Sequence, residues 1–395
     1  MSASTVLVIN SGSSSLKFSL FNISNGEEIV TGLAERLGYE DALLNWKFDS
    51  KRESNTIPNA SHRVALQAVM SMLRSHQLLD ELLAVGHRVV HGGEYFYDSV
   101  LIDEDTLGKI KVCSRLAPLH NPAHVVGIEV MQELFPELPQ VAVFDTAFHQ
   151  SMPKKAYTYA LPYELYEKHG VRRYGAHGTS HKYVSREAVT RLDLDPNNHG
   201  IVTAHLGNGC SATAVLNGKS VDTTMGMTPL EGLVMGTRCG DIDPSIHEFL
   251  ASELSLSIGE VTTLLNKKSG LLGISGLSND MRTLCDAAEE GNERAQLAID
   301  VFCYRLAKNI CALAMPLGRL DALVFTGGIG ENARLIRANV ITSLQLLGFA
   351  LDEERNADNG KQSKGVITKA GSPIAVVINT AEEWVIAQDT ARLTS

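Results

Sequence analysis

The chain has 395 residues, more than one ordinary hydrophobic core organises, so two domains are expected. Hydrophobic residues make up 44%, charged residues 20%, and there are 33 glycines, the balance of a soluble globular protein with many tight turns. A formal charge of −10 disfavours general nucleic-acid binding, which needs a basic footprint.

In chain order, the stretch VLVINSGSSSLKFSLF opens as an apolar run and breaks into the small polar residues Asn10–Ser15. It resumes with Leu16, Phe18 and Leu20 alternating with Lys17 and Ser19, which predicts strand, turn, strand. The turn lets backbone N–H groups and hydroxyls approach an anion, yet it lacks the G-x-x-x-x-G-K-[ST] of a Walker loop. Asn25-Gly26 signals a hairpin into Glu28–Gly32. Val64, Leu66, Val69, Met70, Leu73 and Leu78 recur at helical spacing and predict an amphipathic helix over Ser61–Leu83. LLAVGHRVVHGG and QVAVFDTAFH read as short strands, with a helix over Pro122–Phe135 between them.

A second unit is expected from near residue 150. HGIVTAHLGNGCSATAVLNGKSVDTT repeats the opening pattern: apolar strand, small turn at Gly207-Asn208-Gly209, strand, Asn217-Gly218 turn, third strand. Helices follow, the longest over Glu293–Met315. LDALVFTGGIGENARLIR then reads strand, glycine turn, and a helix beginning near Asn332. SPIAVVINT gives a late strand and Ala381–Leu393 a closing helix. The expected fold is α/β, with two duplicated domains facing one another across a cleft: residues 1–148 plus 382–395, and residues 149–381.

The six cysteines form no C-x-x-C pair, so reduced thiols and a cytoplasmic location are expected. Met1–Thr5 carries no basic n-region and no apolar run reaches spanning length, so no membrane association is expected. The turns Asn10–Ser15, Gly207–Ser211 and Gly327–Asn332 each follow an apolar strand; singly each is a hairpin, and together they read as phosphate cradles. Arg88, ending a strand, and Arg238, between glycines, have the fork that fits carboxylate and phosphoryl oxygens. The pairs His87/His91, His120/His124 and His177/His181 have zinc-compatible spacing, but Pro122 and Gly178 interrupt two of them and none has H-E-x-x-H. Asp145 ends a strand, where a carboxylate either organises a site or caps a turn. Glu382 opens the closing helix, where the dipole also favours an acid.

The chain resembles the acetokinase family, within the acetate and sugar kinase, Hsp70 and actin superfamily. The matching stretches are NSGSSSLKF, GHRVVHGG, LAPLHNP, VAVFDTAFHQ, RRYGAHGTSH, HLGNG, DTTMGMTPLEGLVMGTRCGD, SGLLGISGLSND and FTGGIGEN, closed by Glu382-Glu383. The resemblance implies two ribonuclease H-like (actin-like ATPase) domains, the first on the acyl side, the second on the nucleotide side with dimer contacts. It implies reversible, Mg²⁺-dependent phosphoryl transfer from ATP to acetate, giving acetyl phosphate and ADP, with Mn²⁺ as a substitute metal.

By the same resemblance, Asp145, His177 and Arg238 are catalytic, and Arg88, Val90, Leu119, His120 and Pro229 bind the acyl substrate. ATP falls to Ser13, Lys17, His205, Leu206, Gly207, Asn208 and Gly209, to Asp280, Met281 and Arg282, and to Gly328, Ile329, Gly330, Glu331 and Asn332. The metal falls to Asn10 and Glu382. A homodimer, metabolic coupling to phosphate acetyltransferase and a role in acetyl-CoA synthesis are likewise implied.

Acetate, as an already ionised carboxylate, needs no base, so Asp145 is expected to organise rather than to deprotonate. Valine at 90 leans toward acetate over propionate. Ala176, where the family often has phenylalanine, implies a roomier pocket; Cys239, where serine is common, implies thiol sensitivity; Ala381 and Trp384 also depart from the usual pattern. A propionate or butyrate kinase is the nearest alternative. A nucleotide-driven Hsp70- or actin-type binding protein would need an appended peptide-binding domain or a filament surface, and a zinc hydrolase would need bound zinc.

Overall fold

The computed structural model describes residues 4–395; residues 1–3, on which the leader reading partly rests, lie outside them. The chain divides into two compact units, Met1–Phe148 with Ala381–Ser395, and His149–Thr380.

The first unit is built on an eight-stranded sheet in the order β5-β4-β3-β2-β1-β6-β8-β7. Its strands are β1 (Thr5–Ser11), β2 (Ser15–Asn22), β3 (Glu28–Glu35), β4 (Leu43–Phe48), β5 (Lys51–Thr56), β6 (Leu82–Val89), β7 (Val100–Leu101) and β8 (Gln140–Phe144). Strands β1 to β5 form an antiparallel meander, while β1, β6 and β8 run parallel. Two-residue alternation divides β1 between two cores. Leu7 and Ile9 pack with Leu16, Phe18 and Leu20 beneath the helices His62–Ser75 and Asn121–Leu134. Val6 and Val8 pack with Val141, Val143, Ile386 and Ala387 beneath the closing helix Glu382–Thr394. That helix lies so close to β6 that a Cβ on Gly86 would stand 2.4 Å from Thr390 Oγ1. Trp384 seats its ring against Phe21, centroids 5.5 Å apart, and thereby anchors the helix start.

The second unit has a five-stranded sheet in the order β11-β10-β9-β12-β13. Its strands are β9 (Gly200–Leu206), β10 (Cys210–Leu216), β11 (Lys219–Thr223), β12 (Ala322–Thr326) and β13 (Ile374–Val377). An antiparallel triplet followed by two parallel strands reproduces the β3-β2-β1-β6-β8 arrangement of the first unit. Both first turns close alike, Gly12 N–H donating to Ser15 O and Gly207 N–H donating to Gly209 O. Val202, Ala204, Leu323 and Phe325 face the 22-residue helix Glu293–Ala314 and its Ile299, Phe302, Leu306 and Ile310. The opposite face of β9 and β10 carries Thr203, Ser211 and Thr213, buried polar residues facing the helix Gly178–Leu192.

The elements depart from expectation in three places. The helix expected to Leu83 stops at Ser75, because Gln77 turns left-handed at φ 58° and Leu82 onward joins β6; Val64 is exposed rather than buried. The helix expected to start near Asn332 starts at Gly327 and breaks at Ala333 before Arg334–Ser343. Helix Gly178–Leu192 and strands β4 and β5 were not anticipated. Among the described residues no helix is long and apolar enough to cross a membrane.

Candidate active site

In the first unit the parallel strands β1, β6 and β8 deliver polar side chains at their carboxyl ends, where α/β sheets commonly bind ligands. Arg88, one residue before the end of β6, donates from Nε to Asp145 Oδ1 at 3.1 Å and from Nη2 to Asp145 Oδ2 at 2.6 Å. Nη1 reaches Asn10 Oδ1 at 3.5 Å. Burial by itself would lower the Arg88 guanidinium, but the Asp145 carboxylate more than offsets it and holds it above its ordinary value. The Asp145 side chain is buried at 1% exposure while Arg88 keeps 22%, so the carboxylate faces inward and the fork retains an open edge.

Glu382, at the start of the closing helix, has its carboxyl pushed up to about 7 by desolvation; Asp145 and Glu383 add to the rise and Arg88 opposes it. Glu383 is itself paired with Lys17. The oxygen donors Asn10 and Glu382 are of the hard type that magnesium takes, and Glu382 lies among other carboxylates whose mutual repulsion a cation would relieve. These residues therefore fit a divalent cation. Among the described residues there is no cluster of three or more His, Cys, Asp or Glu arranged to hold a metal ion.

His120 stands at the start of helix Asn121–Leu134, with Leu119 exposed before it and Val90 buried at 5%. Asn121 clamps the loop after β6, donating from Nδ2 to His91 O and accepting from His91 N–H. Ser13 is exposed at the tip of the β1–β2 turn.

In the second unit His177 occupies a left-handed backbone conformation, φ 55° and ψ 23°, directly before helix Gly178–Leu192. Such a conformation is costly for a residue with a side chain and is commonly kept where geometry serves function. Its ring stacks on His205 with centroids 4.3 Å apart, and its Nδ1 is 2.8 Å from Ser211 Oγ. The Gly207–Gly209 turn passes tightly beneath it. A Cβ on Gly209 would lie 2.7 Å from Arg238 Nη2 and 3.3 Å from His177 Nε2, so arginine, histidine and turn meet at one point. Arg238 is steadied by donation from Nη1 to Pro229 O at 2.6 Å. Gly236 and Gly270 make this possible, since a Cβ on either would strike Asn208 Oδ1 or the Met235 and Arg238 backbone.

A cavity of about 500 Å³ opens beside the turn, lined by Gly207, Asn208, Asp280, Met281, Arg282, Gly328, Ile329 and Asn332, together with Asn279. Asp280 has its own task as well: its carboxylate caps helix Met281–Glu289 by accepting from Thr283 N–H at 2.9 Å, which holds it below the usual range. Glu331 turns its carboxylate inward, accepting from Gly327 N–H and Thr380 N–H, and so fastens the glycine turn to the end of the unit. Leu206 is core, and Gly330 packs against Phe325.

The fold places two of the residue departures. Ala176 packs in the core at 2% exposure, and its carbonyl accepts from His149 Nε2. Burial pushes the Cys239 thiol up, away from the reactive thiolate. Thr203 and Asn279, the latter donating to Asn208 Oδ1 at 3.0 Å, were not singled out from sequence, and Ser211 was read only as the end of its turn; Thr203 lies in mid-strand on β9, where no turn signal marks it.

Two sheets repeating one strand order within a single chain are the mark of the duplicated, actin-like class of ATP-using α/β proteins. Within that class this chain belongs to the acetokinase family, whose sequence pattern it matches over residues 5–388. It is 56% identical over 396 residues to an acetate kinase from Shewanella amazonensis, covering 100% of this chain and 99% of that one. Its fold matches a propionate kinase from Francisella tularensis subsp. tularensis at TM-score 0.95 and 50% identity, covering 99% of this chain and 100% of that one. It matches a Porphyromonas gingivalis acetate kinase at TM-score 0.92 and 43% identity, covering 100% of both chains. The family is one of kinases, so the chain is a phosphotransferase.

Proposed function

We propose that the chain transfers the γ-phosphoryl group of ATP to acetate, reversibly and by in-line displacement, giving ADP and acetyl phosphate. The observation that carries this reading is the meeting of His177 and Arg238 at Gly209. Phosphoryl transfer asks for positioning and dispersed charge rather than covalent chemistry, and a guanidinium and an imidazole at a backbone turn supply both.

The acetate carboxylate is ionised at neutral pH, since such groups titrate near ~4, so the acceptor needs no base. Asp145 then serves to orient Arg88, whose open edge takes the anionic acceptor or the phosphoryl group. Asn10 and Glu382 would hold Mg²⁺, or Mn²⁺ in its place, which when bound neutralises charge on the phosphates. Ser13, Lys17, the Gly207–Gly209 turn with His205, and the cavity lined by Asp280, Met281, Arg282, Gly328, Ile329 and Asn332 are assigned to ATP and ADP, with Leu206, Gly330 and Glu331 packed behind them as support rather than contact. Val90, Leu119, His120 and Pro229 are assigned to the acyl group.

Further parts of the reading are a homodimer covering the exposed Leu297 and Tyr304 of the long helix, a cytoplasmic location, and metabolic coupling to phosphate acetyltransferase.

The test is hydroxylamine trapping of acyl phosphate from ATP with acetate, propionate and butyrate in parallel. Hydroxamate is expected with acetate, less with propionate and least with butyrate. Acid-independent ADP release, with no hydroxamate from any of the three, would discard the reading. The likeness to a propionate kinase supports propionate as the rival acceptor. One methylene is worth only ~1–3 kcal/mol in an apolar pocket, so the rivals are separated by kcat/KM rather than by presence or absence of turnover.

A further inference from the structure

We propose that Thr203, His181 and Ser211 form a one-way chain of hydrogen bonds that places the proton of the His177 ring, in its neutral form, on Nε2, making that nitrogen a donor to the transferring phosphoryl group. The proposal rests on the phosphoryl-transfer reading for its purpose, though not for its geometry.

The chain of contacts lies within the second unit. Thr203 Oγ1, on β9, is 2.7 Å from His181 Nδ1. His181 Nε2 is 2.7 Å from Ser211 Oγ, on β10. Ser211 Oγ is 2.8 Å from His177 Nδ1. Thr203, His181 and Ser211 are each at 0% exposure, so proton positions here are set by protein partners. His181 is neutral, since burial holds its imidazole well below the ordinary histidine value, with His149 and His205 adding to the effect.

A neutral imidazole has one N–H and a hydroxyl has one O–H, so the chain has only two complete polarities. In the outward polarity Thr203 O–H donates to His181 Nδ1, His181 Nε2–H donates to Ser211 Oγ, and Ser211 O–H donates to His177 Nδ1. His177 then holds its proton on Nε2. In the inward polarity every donation reverses: His177 Nδ1–H donates to Ser211, Ser211 to His181 Nε2, and His181 Nδ1–H to Thr203. The Thr203 proton must then find another acceptor.

The acceptor in reach is Thr213 O, at 3.5 Å. That is the outer limit of a hydrogen bond, and a buried hydroxyl proton without a good partner carries a desolvation penalty that folding does not recover. The outward polarity leaves only a lone pair on Thr203 unmet, which is cheaper. Direction is thus decided at the buried Thr203 end and delivered at His177 Nε2. There, His177 Nε2 faces the Gly209 turn beside Arg238. An Nε2 lone pair at that place would repel phosphoryl oxygens; an N–H attracts them.

Thr203, His181 and Ser211 are therefore positioning residues that act through His177. The direct test is ¹⁵N NMR of the full-length protein labelled at histidine, with the His177 ring assigned by its loss in His177→Asn. A single Nε2–H tautomer is expected for His177 and for His181. Nδ1–H on His177 in the unaltered protein would overturn the proposal without any variant having to fold.

Ser211→Ala should draw the two His177 ring signals toward each other as both tautomers become populated. It should also lower kcat about 10–100-fold, the usual scale for losing the partner that orients a working imidazole, with KM for ATP and acetate nearly unchanged. Ser211→Thr, which keeps the hydroxyl, should restore both. A Ser211→Ala protein with wild-type ring signals and wild-type kcat would overturn the relay and leave the phosphoryl-transfer reading intact. Full turnover by His177→Ala would instead overturn the role of His177 in that reading, and the purpose of the relay with it.

Discussion

Asp145 grips Arg88 through both carboxylate oxygens, at 3.1 and 2.6 Å, while being almost wholly buried itself. A carboxylate tied up in this way is a poor candidate for proton abstraction and a good one for aiming a guanidinium. Asp145→Asn removes the charge and replaces one acceptor by a donor facing another donor. Turnover should fall about 10²–10³-fold, as when a preorganised donor is lost. The shape of the pH–rate profile should stay the same, because no base has been removed. Loss of a titrating limb in kcat/KM against pH would instead make Asp145 a base.

Arg238 donates from Nη1 to Pro229 O, and its Nη2 lies against the Gly209 turn beside the His177 ring, so its guanidinium is placed at the site. Arg238→Ala should cost about 10²–10³ in kcat with an unchanged unfolding midpoint. Arg238→Lys should rescue little, since an ammonium lacks the planar fork. Steady-state kinetics beside a urea melt check both halves.

Much of this arrangement is legible in the sequence, and the failures have physical causes. The alternation of Leu16, Phe18 and Leu20 gives β2 because one face is buried and the other is not. The same logic finds nothing in β5, Lys51–Thr56, which is exposed along its whole length and carries no alternation. Its turn from β4 is made by Asp49 and Ser50 at φ 47° and 62°, without the glycine that marks such turns. Helix Gly178–Leu192 escapes because its buried face includes Thr179, Ser180, His181 and Ser185, so the hydrophobic period is faint. That polar face is the site's own supporting structure. His177 was found by its motif, but the residues that orient it come from β9 and β10, 26 and 34 positions later in the numbering, a distance no local pattern spans. His177 and His181, four residues apart, share one hydroxyl, that of Ser211.

Acid should loosen the fold earlier than carboxylate protonation alone would. Burial holds the His87 imidazole down at about 4, against an ordinary 6.5, and holds those of His124 and His181 well below the ordinary value. The folded chain refuses protons that the unfolded chain accepts below about pH 6.5, so stability present above that pH is lost as pH falls toward 4. Each such histidine contributes a slope of up to ~1.4 kcal/mol per pH unit. Glu382, pushed up to about 7, acts in the opposite direction between its folded and ordinary values, one proton against three. Chemical denaturation at pH 7.5 and pH 5.5 should therefore show the lower midpoint at pH 5.5. Equal midpoints would mean the three rings take up protons in the folded state.

Gly209 offers the narrowest probe of the site. Its φ is not in the left-handed region, so alanine is tolerated by the backbone, and the added methyl meets Arg238 Nη2 first, at 2.7 Å, and then the His177 ring at 3.3 Å. The guanidinium is the far end of a flexible side chain and can swing away; the ring, held through Nδ1 by Ser211, has less freedom. Gly209→Ala should thus leave the melting temperature within a few degrees of wild type while displacing Arg238. Turnover should fall about 10²-fold or more, close to the loss in Arg238→Ala. The double variant Gly209→Ala with Arg238→Ala should then be little worse than either single change, because both remove the same contact. Additive losses would show that the methyl acts on something other than the arginine, and would separate the turn from the guanidinium it was expected to meet.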